Sequence, residues 1–276
     1  MRQLKYLLVL LVFGYGCQST STKKENTSST PVQIELNTSL GTIRIELSDE
    51  TPLHRDNFVK LVQEGYLDSM LFHRVVNGFG IQSGDPDSKQ AIQGEALGNG
   101  GPGYTIPAEI NDNLFHKRGV ILAARDNNPE RASSGSQFFI VQGKVQTDSL
   151  LDKAEERING YLAQYYFVND ISNKPLRDSL ELALRNEDEE SAMRWGDSIR
   201  VGAENYTNFE KYIIPESHRE VYKNIGGAPH LDQSYTVFGE VTEGMDVVDS
   251  IAAVKVDSLA RPLQDVRILS AKIVHE

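Results

Sequence analysis

A mainly β domain interrupted by a helical insertion is the fold class that the sequence predicts, on three observations. Period-two alternation of apolar and polar residues begins at Val32. Short strand-like runs separated by glycine-rich loops continue to about Gln142 and resume near Tyr235. Between them lies a segment whose apolar residues recur at helical spacing.

Taken in order, the first residues read as an export signal. Arg2 and Lys5 supply positive charge, and Leu7 to Phe13 is an apolar run too short to span a bilayer. Cys17, the only cysteine in the chain, follows directly, preceded by the small residue Gly16. This arrangement resembles a bacterial lipoprotein signal, and the resemblance implies cleavage before Cys17 and lipidation of its thiol. Gly14 departs from the leucine usual at that place in such signals, and an ordinary secretory signal is the alternative. A lone cysteine forms no internal disulfide, so the core must hold by packing. Residues 18–31 are polar and of low complexity, as in a flexible tether.

The runs VQIEL and TIRIEL, separated by the turn-prone stretch Asn37 to Gly41, predict a β-hairpin. Thr51 and Pro52 provide a cap and a first-turn proline for a helix over 52–64, stopped by Gly65. A strand over Phe72 to Val76 would set Phe72, Arg74 and Val76 on one face, with Arg74 beside Phe79 and Gln82. From 146 to 227 the spacing of Leu151, Ala154, Ile158, Tyr161, Leu162 and Tyr165, and of Leu176, Leu180 and Leu184, predicts helices. TVFGEV, a helix from Met245 to Ala253 and a final strand VRILSAKIVH complete the chain. No internal repeat is present.

The formal net charge of −11 and a pI near 5.1 argue against a phosphate backbone as partner, since nucleic-acid affinity needs clustered Lys and Arg. His54, His116, His218 and His275 show no metal-ligand spacing. GSQFF continues as a strand and lacks the strand-to-helix setting of a nucleophile turn. His73 would face away from Arg74, as a structural residue and not a base. Taken alone, Arg74 would be a surface arginine in an ion pair.

Three long motifs point elsewhere. FHRVVNGFGIQSGD, GVILAARDNNPERASSGSQFFIVQG and HLDQSYTVFGEV together resemble the cyclophilins, the peptidyl-prolyl cis-trans isomerases, over about 32–145 and 228–276. The resemblance implies a closed eight-stranded antiparallel β-barrel capped by two helices, with 146–227 as the insertion. Matched residue by residue, it implies Arg74 as the catalytic arginine and Gln82 as the substrate-binding glutamine. Phe79 and Phe139 become aromatic walls of the proline pocket, with Gln137, Leu231 and Tyr235 at further binding positions. Ala124 and Arg125 fall on the segment whose main chain pairs with the peptide, and Gly98 on the wall of the neighbouring pocket.

Departures are also visible. Gly80 stands where the family often has methionine, which would loosen the pocket. His230 replaces a tryptophan of cyclosporin-sensitive members, and Tyr235 replaces a histidine. No cofactor is expected, because bond rotation needs no metal, nucleotide or covalent nucleophile. The expected partners are proline-containing polypeptides, met by a monomeric chain anchored through its lipid at the outer membrane, facing the periplasm. The rival reading is a holdase that captures such peptides, with isomerisation incidental and with Tyr165, Tyr166, Phe167 and Trp195 of the insertion as docking candidates.

Overall fold

The computed structural model describes residues 31–274; the export signal, Cys17 and the tether up to Thr30 lie outside the described residues. In chain order the elements are β1 (Gln33–Thr38), β2 (Gly41–Leu47), α1 (Pro52–Gln63), β3 (Arg74–Val76), β4 (Gly80–Ser83) and β5 (Thr105–Ile106). There follow β6 (Val120–Ala123), β7 (Ser133–Ser134), β8 (Phe138–Val141), then α2 (Asp148–Asn169), α3 (Lys174–Arg185), α4 (Glu189–Glu204) and α5 (Glu216–Asn224). The chain closes with β9 (Val237–Glu243), α6 (Met245–Ala252) and β10 (Ile268–Val274).

Among the described residues, eight strands form one antiparallel sheet in the order β10-β1-β2-β9-β6-β8-β4-β3, and β5 pairs with β7 separately. The sheet is open, a half-barrel, and not the closed barrel that the resemblance implies. Its two outer strands, β3 and β10, form no ladder. They are joined by an isolated bridge between Leu71 and Arg267 and by single main-chain bonds such as Phe72 N–H to the Val266 carbonyl, 2.9 Å. The reason is the length of β3: regular pairing begins only at Arg74, so three residues are too few to close the ring.

The same late start alters one expected face. Phe72 does not share a side with Arg74; it is buried in the main core with Val75, while Arg74 is exposed. Alternation then holds across the sheet. Val75, Ile81, Ile140 and Ile121 are successive register partners and all lie in the core, which α1 covers with Phe58, Leu61 and Val62 and α6 with Val248 and Ile251.

The hairpin, the helices at 52 and 245, and the final strand all form, with ends shifted by one or two residues. The helix α1 is capped differently from the expectation. The Thr51 hydroxyl makes no cap bond; Leu53 N–H and His54 N–H donate instead to the Glu109 carboxylate, at 3.1 and 3.0 Å. A distant acidic side chain thereby satisfies the orphan donors and meets the positive end of the helix. Gly65 ends α1 in the left-handed region, φ 62°, where side chains other than glycine are strained.

Helices α2 to α5 occupy the interval between β8 and β9. Leu151, Ala154, Ile158 and Leu162 of α2 pack on Ile214 and Tyr222, with Phe115, from the loop before β6, against the same cluster. Phe167, Ile199 and Ala203 make a second small core, with Leu176 and Leu180 half-buried on it. Leu184 remains exposed.

A buried polar clamp ties these helices to the sheet. Asp232 Oδ1 accepts His116 N–H at 3.0 Å, His116 Nδ1–H at 2.8 Å and the Tyr222 hydroxyl at 2.8 Å. Burial beside that carboxylate raises the Tyr222 phenol well above its ordinary pKa, so it remains a donor. Replacing Asp232 with alanine would leave three donors without an acceptor. The expected cost is about 3 kcal/mol or more, read as a lower urea midpoint at unchanged slope; a change below ~1 kcal/mol would show the clamp to be dispensable.

Candidate active site

The row beside the core row faces the other way. Arg74 of β3 pairs in register with Gln82 of β4, Gln82 with Phe139 of β8, Phe139 with Leu122 of β6, and Leu122 with Val237 of β9. These side chains therefore line one strip of the outer face. Phe139, Leu122, Val237 and Leu231 form an apolar cluster there, with Phe79 and Tyr235 packed on it.

Arg74 sits at the end of this strip. Its Nη1–H donates to Gln82 Oε1 at 3.4 Å, and its guanidinium lies 5.9 Å from the Phe79 ring centre. Among the described residues it has no ion pair, contrary to the surface-arginine reading. Gln82 Nε2–H donates to Gln137 Oε1 at 3.0 Å, and Gln137 Nε2–H donates to the carbonyls of Gly98 and Gly100, both at 2.8 Å. Two carbonyls fix which end of the Gln137 amide is the donor. That in turn sets the Gln82 amide with its oxygen toward Arg74.

Asp85, fully buried, caps the turn at 86–89 through Asp87 N–H and also accepts Gly98 N–H, at 2.9 and 2.5 Å. Gly98 is thus held from both sides. A cavity of about 700 Å³ opens beside the strip, with Gln82, Gly98, Ala124, Arg125 and Gln137 among its walls.

The rings of Phe79 and Phe139 are 4.7 Å apart, and His230 stacks on Phe79 at 5.7 Å. Gly80 does not leave the pocket loose. A Cβ there would come within 2.4 Å of the Phe139 ring and 2.2 Å of the Ile140 carbonyl oxygen, so the phenyl already fills the space. Ala124 also differs from the expectation, since its N–H donates to Gln137 O and its carbonyl accepts from Ser134 N–H, at 2.9 and 2.8 Å. The main chain of Arg125 makes no such bond among the described residues, so of the two it is the one open to an incoming strand.

The structure therefore gathers Arg74, Phe79, Gln82, Gly98, Ala124, Arg125, Gln137, Phe139, Leu231 and Tyr235 around one surface. Cys17 alone of the sequence-predicted residues lies outside the described chain. Tyr161 of α2 is a member that spacing marked only as part of a helix stripe; its hydroxyl accepts from Arg125 Nη2 at 2.9 Å. No signal in the sequence joins positions 125 and 161. Tyr165 stacks on Arg131 at 3.8 Å and Phe167 is in a core, so these two serve internal packing, while Tyr166 stacks on Phe209 but stays exposed.

His54 and His73 are both buried, in different settings. His54 donates Nδ1–H to Glu109 at 2.7 Å and its Nε2 faces Ser133 Oγ at 3.0 Å. His73 is buried with neither ring nitrogen hydrogen-bonded within the chain, and burial pushes its pKa down to about 4. Burial first, then the Arg157 cation, likewise holds His230 at about 4.

Comparison with known proteins decides the family. The family model for "Cyclophilin type peptidyl-prolyl cis-trans isomerase/CLD" matches residues 32–168 and 216–273, well over half of the chain. The chain belongs to the cyclophilins. Its reaction is peptidyl-prolyl cis-trans isomerisation, and the stretch the family model leaves unmatched, 169–215, falls within the helices between β8 and β9. A predicted peptidyl-prolyl cis-trans isomerase of Staphylococcus saprophyticus is 28% identical over 244 residues, covering 88% of this chain and 92% of the relative. A peptidyl-prolyl cis-trans isomerase of Synechococcus elongatus is 45% identical over 109 residues, 39% of this chain and 67% of the relative.

Among solved structures, a cyclophilin-type isomerase of Cryptosporidium parvum shares the fold at a TM-score of 0.52 and 17% identity, over 89% of this chain and 99% of that one. A second crystal structure of that protein, in the presence of the dipeptide Ala-Pro, gives 0.51 at the same identity, over 88% and 99%.

His73 also makes stability depend on pH in a definite direction. An unfolded chain would protonate it near 6.5, the folded cyclophilin only near 4. Stability is therefore fully present above pH 6.5 and is lost as pH falls toward 4, by on the order of 2 kcal/mol at about pH 4.5. His73→Phe should lose correspondingly less between pH 7 and 4.5 in urea midpoints. Equal losses in both proteins would remove His73 as the cause.

Proposed function

We propose that Arg74 is the transition-state donor of this isomerase, with Gln82 orienting the substrate and Phe79, Phe139, Leu231 and Tyr235 holding the proline ring. Rotation about an X-Pro bond breaks amide resonance, a barrier of roughly 18–20 kcal/mol. As the bond twists, the nitrogen lone pair ceases to be delocalised and becomes a better acceptor than in the planar ground state. A donor aimed at that nitrogen stabilises the twisted state more than either planar one.

The observation that carries the reading is Arg74 itself. It is exposed, unpaired by any carboxylate among the described residues, and beside an aromatic wall and a fixed amide. An arginine stays charged and needs no proton transfer to act. Arg125 offers an open main chain for the peptide, and the Gln137–Gly98 contact shapes the neighbouring cavity. The Ala-Pro dipeptide used with the Cryptosporidium relative supports proline-containing peptides as ligands.

The substrates proposed are exported polypeptides, folding in the cell envelope. The support is the N-terminus: Arg2, Lys5, the apolar run Leu7 to Phe13, and Gly16 before Cys17. Cleavage there would leave Cys17 lipidated and the domain at the outer membrane, facing the periplasm on the tether. The domain division proposed with it is 32–145 and 228–276 for isomerisation, with 146–227 as an accessory helical unit. A capture function draws on Leu182, Leu184, Met193 and Val201, apolar side chains left exposed on α3 and α4.

Turnover of a Xaa-Pro tetrapeptide separates the two. Arg74→Ala should lower kcat/KM by about two orders of magnitude, roughly 2.7 kcal/mol of transition-state stabilisation. Unchanged turnover in that variant would hand the pocket to capture. For the anchor, Cys17→Ser should move the protein from the membrane fraction to the soluble envelope fraction and abolish fatty-acid labelling; retention of the label would rule the anchor out.

A further inference from the structure

Beside the strip that holds Phe79 and Phe139 lies a second cavity, of about 300 Å³, whose walls come from both parts of the chain. Arg125, His230, Leu231 and Tyr235 are supplied from the sheet side, and Arg157 and Tyr161 from α2. Leu231 and Tyr235 also belong to the apolar cluster with Phe139, so the two depressions share walls. Removing α2 would leave this side open to solvent.

The groups lining it are mostly donors. Arg125 lies between two rings, 4.9 Å from that of Tyr235 and 5.6 Å from that of Tyr161. It is fixed there by bonds to the Ser234 carbonyl at 2.9 Å, Ser234 Oγ at 3.0 Å, the Tyr161 hydroxyl at 2.9 Å and the Asp126 carbonyl at 3.0 Å. Because the Tyr161 oxygen accepts from Arg125, its own proton remains available. Arg157 stands one helical turn before Tyr161, on the same face of α2. Arg157 is exposed and, among the described residues, makes no hydrogen bond or ion pair, so its guanidinium is free to meet a ligand. His230, held neutral, adds no charge of its own. Asp126 is the one carboxylate in the lining, and it is exposed and pairs with neither arginine.

We propose that this cavity is a substrate subsite built by the insertion, taking an acidic side chain close to the isomerised proline. The free guanidinium of Arg157 can bind a carboxylate through two parallel bonds, with the Tyr161 hydroxyl as a further donor; Arg125, most of whose N–H groups are spent on Ser234, Tyr161 and Asp126, contributes its charge. A basic side chain would meet like charge there. The proposal rests on the reading of Phe79, Phe139, Leu231 and Tyr235 as the proline pocket, since the shared walls set how near the acidic residue must be. It makes the helical unit a specificity element in place of the general docking arm.

The test uses the purified protein with matched peptides carrying Glu or Gln at each of the two positions before and the two after proline. Both kcat/KM and affinity, by fluorescence anisotropy of labelled peptides, are read. One position should favour Glu over Gln roughly fivefold in both, and the preference should fade as salt rises from about 50 to about 500 mM. In Arg157→Gln the Glu/Gln ratio should fall toward one, and Arg157→Glu should favour Lys at that position. A ratio taken within one variant is unaffected by a general loss of activity.

Ratios of one at every position, with the neutral peptides still turned over, would overturn the subsite and leave the isomerase reading intact. A Glu preference that survives Arg157→Gln would remove the insertion from it. Failure to turn over any peptide would instead count against the proposed function, and the affinity ratios would then decide the subsite by themselves.

Discussion

Everything at the site depends on the register of a sheet that uses both of its faces. Val75, Ile81, Ile140 and Ile121 make one row and Arg74, Gln82, Phe139 and Leu122 the next. A slip of one residue in β3 or β4 would exchange the rows, sending an arginine into the core and an isoleucine out of it. Burial of the first row therefore holds the second in place. The site is aligned by hydrophobic packing that none of its own side chains provides.

On that alignment sits a chain of amides. The carbonyls of Gly98 and Gly100 orient Gln137, Gln137 orients Gln82, and Gln82 presents its oxygen to Arg74. Close main-chain approach makes this possible: a Cβ on Gly84 would lie 2.1 Å from the Ser136 carbonyl oxygen, in the bend between β7 and β8 that leads into Gln137. A donor positioned before substrate arrives loses little on reorganisation when the lone pair appears.

The helices between β8 and β9 are joined to the same region by charge and not only by apolar contact. Asp232, which receives bonds from His116 and Tyr222, follows His230 and Leu231 directly in the chain. Arg125 and Arg131 reach α2 through the Tyr161 and Tyr165 rings. Packing of the helical unit and the shape of the pocket are thus mechanically linked, since the residues that do one lie next to those that do the other.

Period-two runs, the helix after Thr51 and the apolar stripe of Leu151, Ala154 and Ile158 were legible in the sequence because each depends on neighbours within a few residues, and the three motifs around Arg74, Phe139 and Leu231 were legible through their resemblance to the cyclophilins. The open edge of the sheet, the burial of Phe72, the capping of α1 by Glu109, the filling of the Gly80 position by Phe139 and the meeting of Arg125 with Tyr161 were not. Each is a contact, or a missing ladder, between segments far apart along the chain. By itself the sequence determined local periodicity and the types of side chain available for the chemistry. Only the tertiary structure decided which of those side chains share a face, because long-range register and packing are set by the collective burial of the core.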